Sequence, residues 1–316
     1  MKGLTDIPGI RVGHISDYEA LTGCTAILCE AGAVGGVDIR GSATGTQEIA
    51  TLDPGHVTPQ AHGVMLAGGS AFGLEAASGV RRYLEGRGVG YNTGAAKVPI
   101  VPAAILYDLG IGKATVRPTA AMGEAAAAAA SEDAVREGCV GAGTGATVGK
   151  TLGMRQAMKS GVGSFTVTLP GGVLVAALAA VNAYGDVRDP ATGKIVAGAR
   201  KSAGGSDFAD SAETIKARGA VSGIGGGNTT LVVVATNARL TKVQANKLAQ
   251  FGSQGVVRAV SPVNTMFDGD TTFALSLGAR QADINALGVA AAEAVAQAIL
   301  RAVKFAKTLG GVPGLG

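Results

Sequence analysis

The sequence predicts an α/β protein in which sheets lie between layers of helix. Three observations carry that prediction. Several β-prone runs are apolar without alternation, as strands covered on both faces are. Two of them, 165–169 and 173–182, follow each other with no helix between, so the strict βαβ order of a doubly wound fold fails. The longest helical stretch carries small residues nearly all round, which suits burial between layers or subunits.

Taken along the chain, strands are predicted at 25–30, 64–67, 165–169, 173–182, 231–237 and 272–277. Pro170-Gly171-Gly172 makes the turn between the third and fourth. Four helices are predicted. The first runs from Ser70, its N-cap, to residue 84, and an alanine-rich second runs over 120–137 and ends at Gly138. Thr241 caps a third that runs to Phe251, and Asn285 caps a long fourth that ends near Gly310. Residues 189–227 read as a long loop leading into something special, because polar residues give way to the glycine run 223–227.

Composition narrows the function classes. With 51 Gly and 47% hydrophobic residues in 316, the chain is too apolar for disorder, and its glycines lack the collagen period. Three cysteines, Cys24, Cys29 and Cys139, cannot staple a disulfide scaffold and fit free thiols in a reducing cytoplasm. Charged residues make up only 16%, which predicts surface covered by other subunits. A net charge of +4, scattered and without aromatic interleaving, argues against a nucleic-acid partner. The N-terminus has no apolar stretch of signal-peptide length. The uncharged run 160–185 is broken by its Pro-Gly-Gly turn, and the C-terminal helix carries Glu293, Arg301 and Lys304, so no membrane span is expected.

Ordinary catalytic motifs fail on spacing. Gly141-Ala-Gly-Thr-Gly-Ala146 matches a dinucleotide fingerprint, but Gly149 and Gly153 argue against the helix it needs. Gly145-Ala-Thr-Val-Gly-Lys-Thr151 falls one residue short of a phosphate-binding loop, which leaves a close-packed glycine loop presenting Lys150. His14, His56 and His62 find no G-x-S-x-G serine and no metal-ligand spacing. No metal or organic cofactor is expected.

The informative segment is Gly225-Gly-Gly-Asn-Thr-Thr-Leu-Val-Val-Val-Ala-Thr-Asn237. Glycines permit strained backbone just before a strand that should be rigid. That suits a peptide bond that breaks itself: the Thr229 hydroxyl attacks the Asn228 carbonyl, an ester forms and hydrolyses, and Thr229 becomes a new N-terminus. Its α-amine, with a pKa near ~8, then serves as base for its own hydroxyl. An ordinary glycine loop entering a buried strand fits the same residues.

The chain resembles the L-aminopeptidase/D-esterase family of self-processing N-terminal-nucleophile hydrolases, which includes β-aminopeptidases and nylon-oligomer endo-hydrolases. The resemblance spans nearly the whole length. It rests on Gly9-Ile-Arg-Val-Gly-His14, Leu66-Ala-Gly-Gly-Ser-Ala-Phe-Gly-Leu-Glu75, Val101-Pro-Ala-Ala-Ile-Leu-Tyr-Asp108 and Gly141-Ala-Gly-Thr-Gly-Ala-Thr-Val-Gly-Lys150. Val181-Asn-Ala-Tyr-Gly-Asp186, Gly227-Asn-Thr-Thr230 and Asp268-Gly-Asp-Thr271 complete it in the same order.

That resemblance implies a four-layer α/β/β/α sandwich of the N-terminal-nucleophile type, folded as one domain. It implies a split between Asn228 and Thr229 into pieces 1–228 and 229–316, assembled as a homo-oligomer, a tetramer of processed units. It implies hydrolysis of a small peptide, amide or ester after an N-terminal residue, through an acyl-enzyme on Thr229. Asn182 would hold the oxyanion, Lys150 would favour the deprotonated nucleophile or support processing, and Tyr107 would donate to substrate or oxyanion. Asp268 and Asp270 would bind the substrate ammonium or orient the Thr229 amine. Read without the family, Lys150 is a surface charge, Asn182 a strand-end cap, Tyr107 a packed ring and Asp-Gly-Asp a turn. Few aromatics predict a pocket of small aliphatic groups. Two rivals stand beside this reading: an acyltransferase of the ornithine acetyltransferase type, and an uncleaved nucleotide-binding or structural protein.

Overall fold

The structure, a computed structural model, describes residues 1–219 and 227–316. The glycines at 223–226 that lead to Asn228 therefore lie outside the described residues. Eight principal strands form the framework: β1 (Arg11–Asp17), β2 (Thr22–Ile39), β3 (Ala61–Ala67), β4 (Ala103–Ile105), β5 (Val162–Leu169), β6 (Val173–Asn182), β7 (Thr229–Ala238) and β8 (Thr271–Arg280). Five helices accompany them: α1 (Ala76–Gly86), α2 (Ala120–Ala128), α3 (Ser211–Arg218), α4 (Lys242–Ala259) and α5 (Ile284–Lys304).

β2 organises the layers. Its first part pairs antiparallel with β1 and β3, and its last part, Val34 to Ile39, pairs antiparallel with β8. A register shift separates the two parts, and Gly32 lies within it at φ +86, a backbone that glycine adopts without strain. One 18-residue strand thus serves two sheets. The first holds β1, β2, β3, β4 and the short strand Thr46–Gln47. The second runs β5-β6-β7-β8-β2, with β7 and β8 parallel and the other pairs antiparallel.

Side-chain alternation then fixes three cores between four layers. On β6, Val175, Ala177, Ala179 and Val181 face the helical layer, where α5 packs on the strand, while Ala176, Leu178 and Ala180 face the other sheet. On β3, Val64 and Leu66 enter that middle core, and Met65 and Ala67 turn outward to α1 and α2. The result is an α/β/β/α sandwich, as expected. Strands buried on both faces have no polar side to show, which is why their sequences do not alternate. α5 is long and apolar enough to cross a bilayer by composition, and it lies buried against β5 and β6.

Several predicted boundaries need correction. Ser70 does not cap α1: it has φ +55 and opens a 3-10 segment, Ser70–Glu75, before the α-helix starts at Ala76. The alanine-rich helix begins with Thr119 as N-cap and stops at Ala128, well short of Gly138. The chain beyond it is captured by pairing: Ser131 exchanges backbone hydrogen bonds with Val12, and the Val135 amide donates to Lys2. α4 runs past Phe251 to Ala259 behind a Thr241–Gln244 capping box. Asp283, not Asn285, caps α5, which ends at Lys304 rather than Gly310. Residues 189–219 are not a plain loop, since they hold the strand Ile195–Ala197 and α3. The buried Asp186 carboxylate anchors them, accepting from the Ser211 amide and hydroxyl and from the Ala199 amide.

Candidate active site

β6 ends at Asn182 and β7 begins at Thr229, and the antiparallel register makes these two residues partners. Asn228 and Thr229 are 1% and 2% exposed, so a hydrophilic pair is held inside the sandwich. The Thr229 hydroxyl lies 2.5 Å from the carbonyl oxygen of Asn228. The same oxygen accepts from the Gly269 amide at 2.7 Å, while the Asn228 amide donates to the Phe267 carbonyl at 3.1 Å.

Asn182 is held by its neighbours at both side-chain atoms. Its Oδ1 accepts from the Thr147 amide at 3.0 Å and the Lys150 ammonium at 2.8 Å, and its Nδ2 donates to the Tyr107 carbonyl at 2.8 Å. Lys150 also donates to the Asn182 carbonyl at 2.9 Å. Lys150 is therefore no surface charge. Burial pushes its ammonium down to about 7, against the pull of Asp268 and Asp270.

Both acidic residues are buried. Asp268 accepts from the amide and hydroxyl of Thr265, at 2.8 and 2.7 Å. Asp270 accepts from the Thr230 amide at 2.6 Å and the Asn264 amide at 3.1 Å. Burial first, and the Asp268 charge second, push Asp270 up to about 7. Burial thus favours the neutral form of both Lys150 and Asp270, the direction of shift found at acid–base sites.

A cavity of about 300 Å³ opens beside this cluster. Tyr107, Ile111, Lys150, Met154, Tyr184 and Gly227 line it, so its wall is aromatic and thioether as well as small aliphatic, contrary to the expectation from composition. Tyr107 lies against Gly227, where an added Cβ would come within 2.7 Å of the Tyr107 Cβ and 3.0 Å of its ring. Tyr184 meets Phe267 edge-on at 6.1 Å between centroids.

The structure brings Thr229, Asn182, Lys150, Tyr107, Asp268 and Asp270 into one neighbourhood. Three participants escaped the sequence reading. The Gly269 amide is one, since a backbone donor leaves no residue-type signal. Asp108 is another: its carboxylate accepts from the Thr22 hydroxyl and the Gly69 amide, both at 2.7 Å, and fixes the end of β4. The third is Lys159, fully buried, whose ammonium donates to the carbonyls of Gly143, Ala146 and Ser160. The glycine loop therefore points carbonyls at a cation, the opposite polarity from a phosphate cradle. The segment Gly141–Gly143 is a 3-10 turn followed by the strand Thr147–Val148, not a helix. His14, His56 and His62 are scattered, and no metal-ligand cluster occurs among the described residues.

Four layers, with a buried threonine opening a central strand, define an N-terminal-nucleophile-type fold. The profile of peptidase family S58 matches residues 2–315, and the chain belongs to that family. It is 40% identical to an uncharacterized aminopeptidase of Mycobacterium tuberculosis, over 99% of this chain and 96% of that protein. It is 33% identical to a 6-aminohexanoate-oligomer endohydrolase of a Kocuria species, over 95% and 85%. Among solved structures it resembles a Burkholderia β-aminopeptidase with TM-score 0.70 at 24% identity, covering 100% of this chain and 91% of that one. It also resembles the L-aminopeptidase D-Ala-esterase/amidase of Ochrobactrum anthropi, described as a variant of the Ntn hydrolase fold, with TM-score 0.72 at 20% identity over 99% and 88%. The protein is a hydrolase of peptide bonds.

Proposed function

We propose that the chain is a self-processing aminopeptidase or amidase that works through an acyl-enzyme on Thr229. The observation that carries this reading is the buried Thr229 hydroxyl 2.5 Å from the carbonyl oxygen of its own preceding residue. Cleavage there gives a chain of residues 1–228 and a chain of 229–316 that stay in one fold, because β7 pairs with β6 and β8 pairs with β2, both across the cut.

In the processed enzyme the Thr229 amine takes the hydroxyl proton as the oxygen attacks a substrate carbonyl. The amine then hands that proton to the departing amino group, and water hydrolyses the ester by the same route in reverse. Asn182 sits beside the nucleophile as oxyanion donor, through the second N–H of the Nδ2 that the Tyr107 carbonyl holds in place. Lys150, with its lowered pKa, and the Asp268–Asp270 pair set the charge around the Thr229 amine.

The substrates are small peptides or amides that enter the cavity bounded by Tyr107, Met154 and Tyr184. The relatives named for aminopeptidase and oligomer hydrolysis support this class. We further propose a homo-oligomer in a reducing cytoplasm. Exposed Val243 and Val257 on α4 and Val289 on α5 support association, and the three cysteines are free thiols.

Purified protein offered aminoacyl-anilides, β-aminoacyl amides and 6-aminohexanoate oligomers should release amine from at least one class. Thr229→Ala should release none. Equal turnover by Thr229→Ala would sink the reading.

A further inference from the structure

We infer that the backbone amide of Gly269 is the oxyanion donor for self-cleavage between Asn228 and Thr229. The inference rests on the self-processing reading above and names the group that makes that step possible. The Gly269 amide donates to the Asn228 carbonyl oxygen at 2.7 Å, the same oxygen that lies 2.5 Å from the Thr229 hydroxyl.

The donor is held rigidly. The Asn228 amide donates to the Phe267 carbonyl, so residues 267 and 269 grip Asn228 on both sides of its backbone. From the opposite side, the Ala43 amide donates to the Asp268 carbonyl, and those of Arg40 and Gly41 donate to the Asp270 carbonyl. Only glycine permits this approach: a Cβ at residue 269 would lie 2.8 Å from both the Thr229 hydroxyl oxygen and the Ala43 carbonyl oxygen. Neither nearby side-chain donor reaches the Asn228 carbonyl oxygen: the Asn182 amide donates to the Tyr107 carbonyl and the Lys150 ammonium to Asn182.

In the step itself, a bond forms from the Thr229 oxygen to the Asn228 carbonyl carbon. The carbonyl electron pair moves onto the oxygen that Gly269 already holds, and a hydrogen bond to an oxyanion is roughly twice as strong as one to a neutral carbonyl. The carbon–nitrogen bond then breaks, the hydroxyl proton ends on the Thr229 nitrogen, and an ester joins the two residues. Water hydrolyses that ester, leaving a carboxylate on Asn228 and the free hydroxyl and amine on Thr229.

The test replaces the Asp268–Gly269 peptide bond by an ester, with glycolate in place of Gly269, in the full-length chain. This removes the N–H and adds no atoms to the site. A control ester at Gly41 removes a neighbouring backbone donor that bonds the Asp270 carbonyl and not Asn228. Cleavage followed by intact mass should slow by about 10²–10³-fold in the first variant, the loss typical of one oxyanion donor. In the control it should stay within a few fold of the unmodified chain. Unchanged cleavage in the Gly269 ester, or equal slowing in both esters, overturns the inference. An unmodified chain that never cleaves overturns the self-processing reading instead.

Discussion

Asn182 and Thr229 are register partners on adjacent antiparallel strands, and this pairing assembles the site. Because Asn182 closes β6, its side chain is free to collect Thr147 and Lys150 from one segment and Tyr107 from another. Because Thr229 opens β7, its hydroxyl comes to rest beside the backbone of residue 228. Two strand ends thus gather residues that lie more than a hundred positions apart.

Replacing Asn182 by Ala removes one donor and one acceptor from a buried network. The Thr147 amide, the Tyr107 carbonyl and the Lys150 ammonium each lose a partner, at about 1–3 kcal/mol for each group left unsatisfied. Denaturant unfolding should show a loss of that order or more, and turnover per cleaved chain should fall by about 10²–10³. Wild-type stability in the variant would mean that the network carries no weight.

Lys150 predicts a particular pH dependence. Its folded-state pKa is lowered to about 7 from 10.5, so between those values the unfolded chain holds a proton that the folded chain does not. Stability must rise with pH through this window, by up to about 1.4 kcal/mol per unit for one proton, and level off below 7. Unfolding of wild type and Lys150→Met at pH 7, 8.5 and 10 should show wild type gaining on the variant as pH rises. Parallel profiles would contradict the assignment.

The α4–α5 crossing gives a test in which two effects oppose each other. Alanine in a helix is favoured over glycine by about 1 kcal/mol. A Cβ at Gly255, however, would lie 2.4 Å from the Ala292 carbonyl oxygen and 2.7 Å from the Val295 Cβ. Overpacking of that kind costs about 1–3 kcal/mol, so Gly255→Ala should lower the melting temperature. Gly86→Ala at the end of α1, where a Cβ meets nothing within 4 Å, should raise it slightly.

These tests also mark what could be read from the sequence. The span of β6 was legible to the residue, because the Pro-Gly-Gly turn and the polar Asn182 bracket an apolar run. The unalternating strands gave the layered architecture for the same reason. The helix ends were not legible where tertiary pairing intervenes. Ser131 has the helical run of Ala120 behind it, yet it pairs with Val12, more than a hundred residues earlier in the chain. β2 was read at only a third of its length, since the glycines at its bend look like a terminator when they mark a passage between sheets. At the site, Thr229 stood out by its place between a glycine run and an apolar strand, while Asp268-Gly-Asp270 reads as a turn by residue type and gains a role only from the family resemblance. The Gly269 amide and the carbonyl cage around Lys159 did not, because backbone groups have no letter of their own.

The most direct measurement is the intact mass of freshly purified protein under denaturing conditions, with N-terminal sequencing of each species. Self-processing predicts two chains, the smaller one beginning at Thr229 and running to Gly316, and a single uncut chain from Thr229→Ala. One full-length mass from the wild type, stable over days, would leave Thr229 without a free amine and contradict its role as an N-terminal nucleophile.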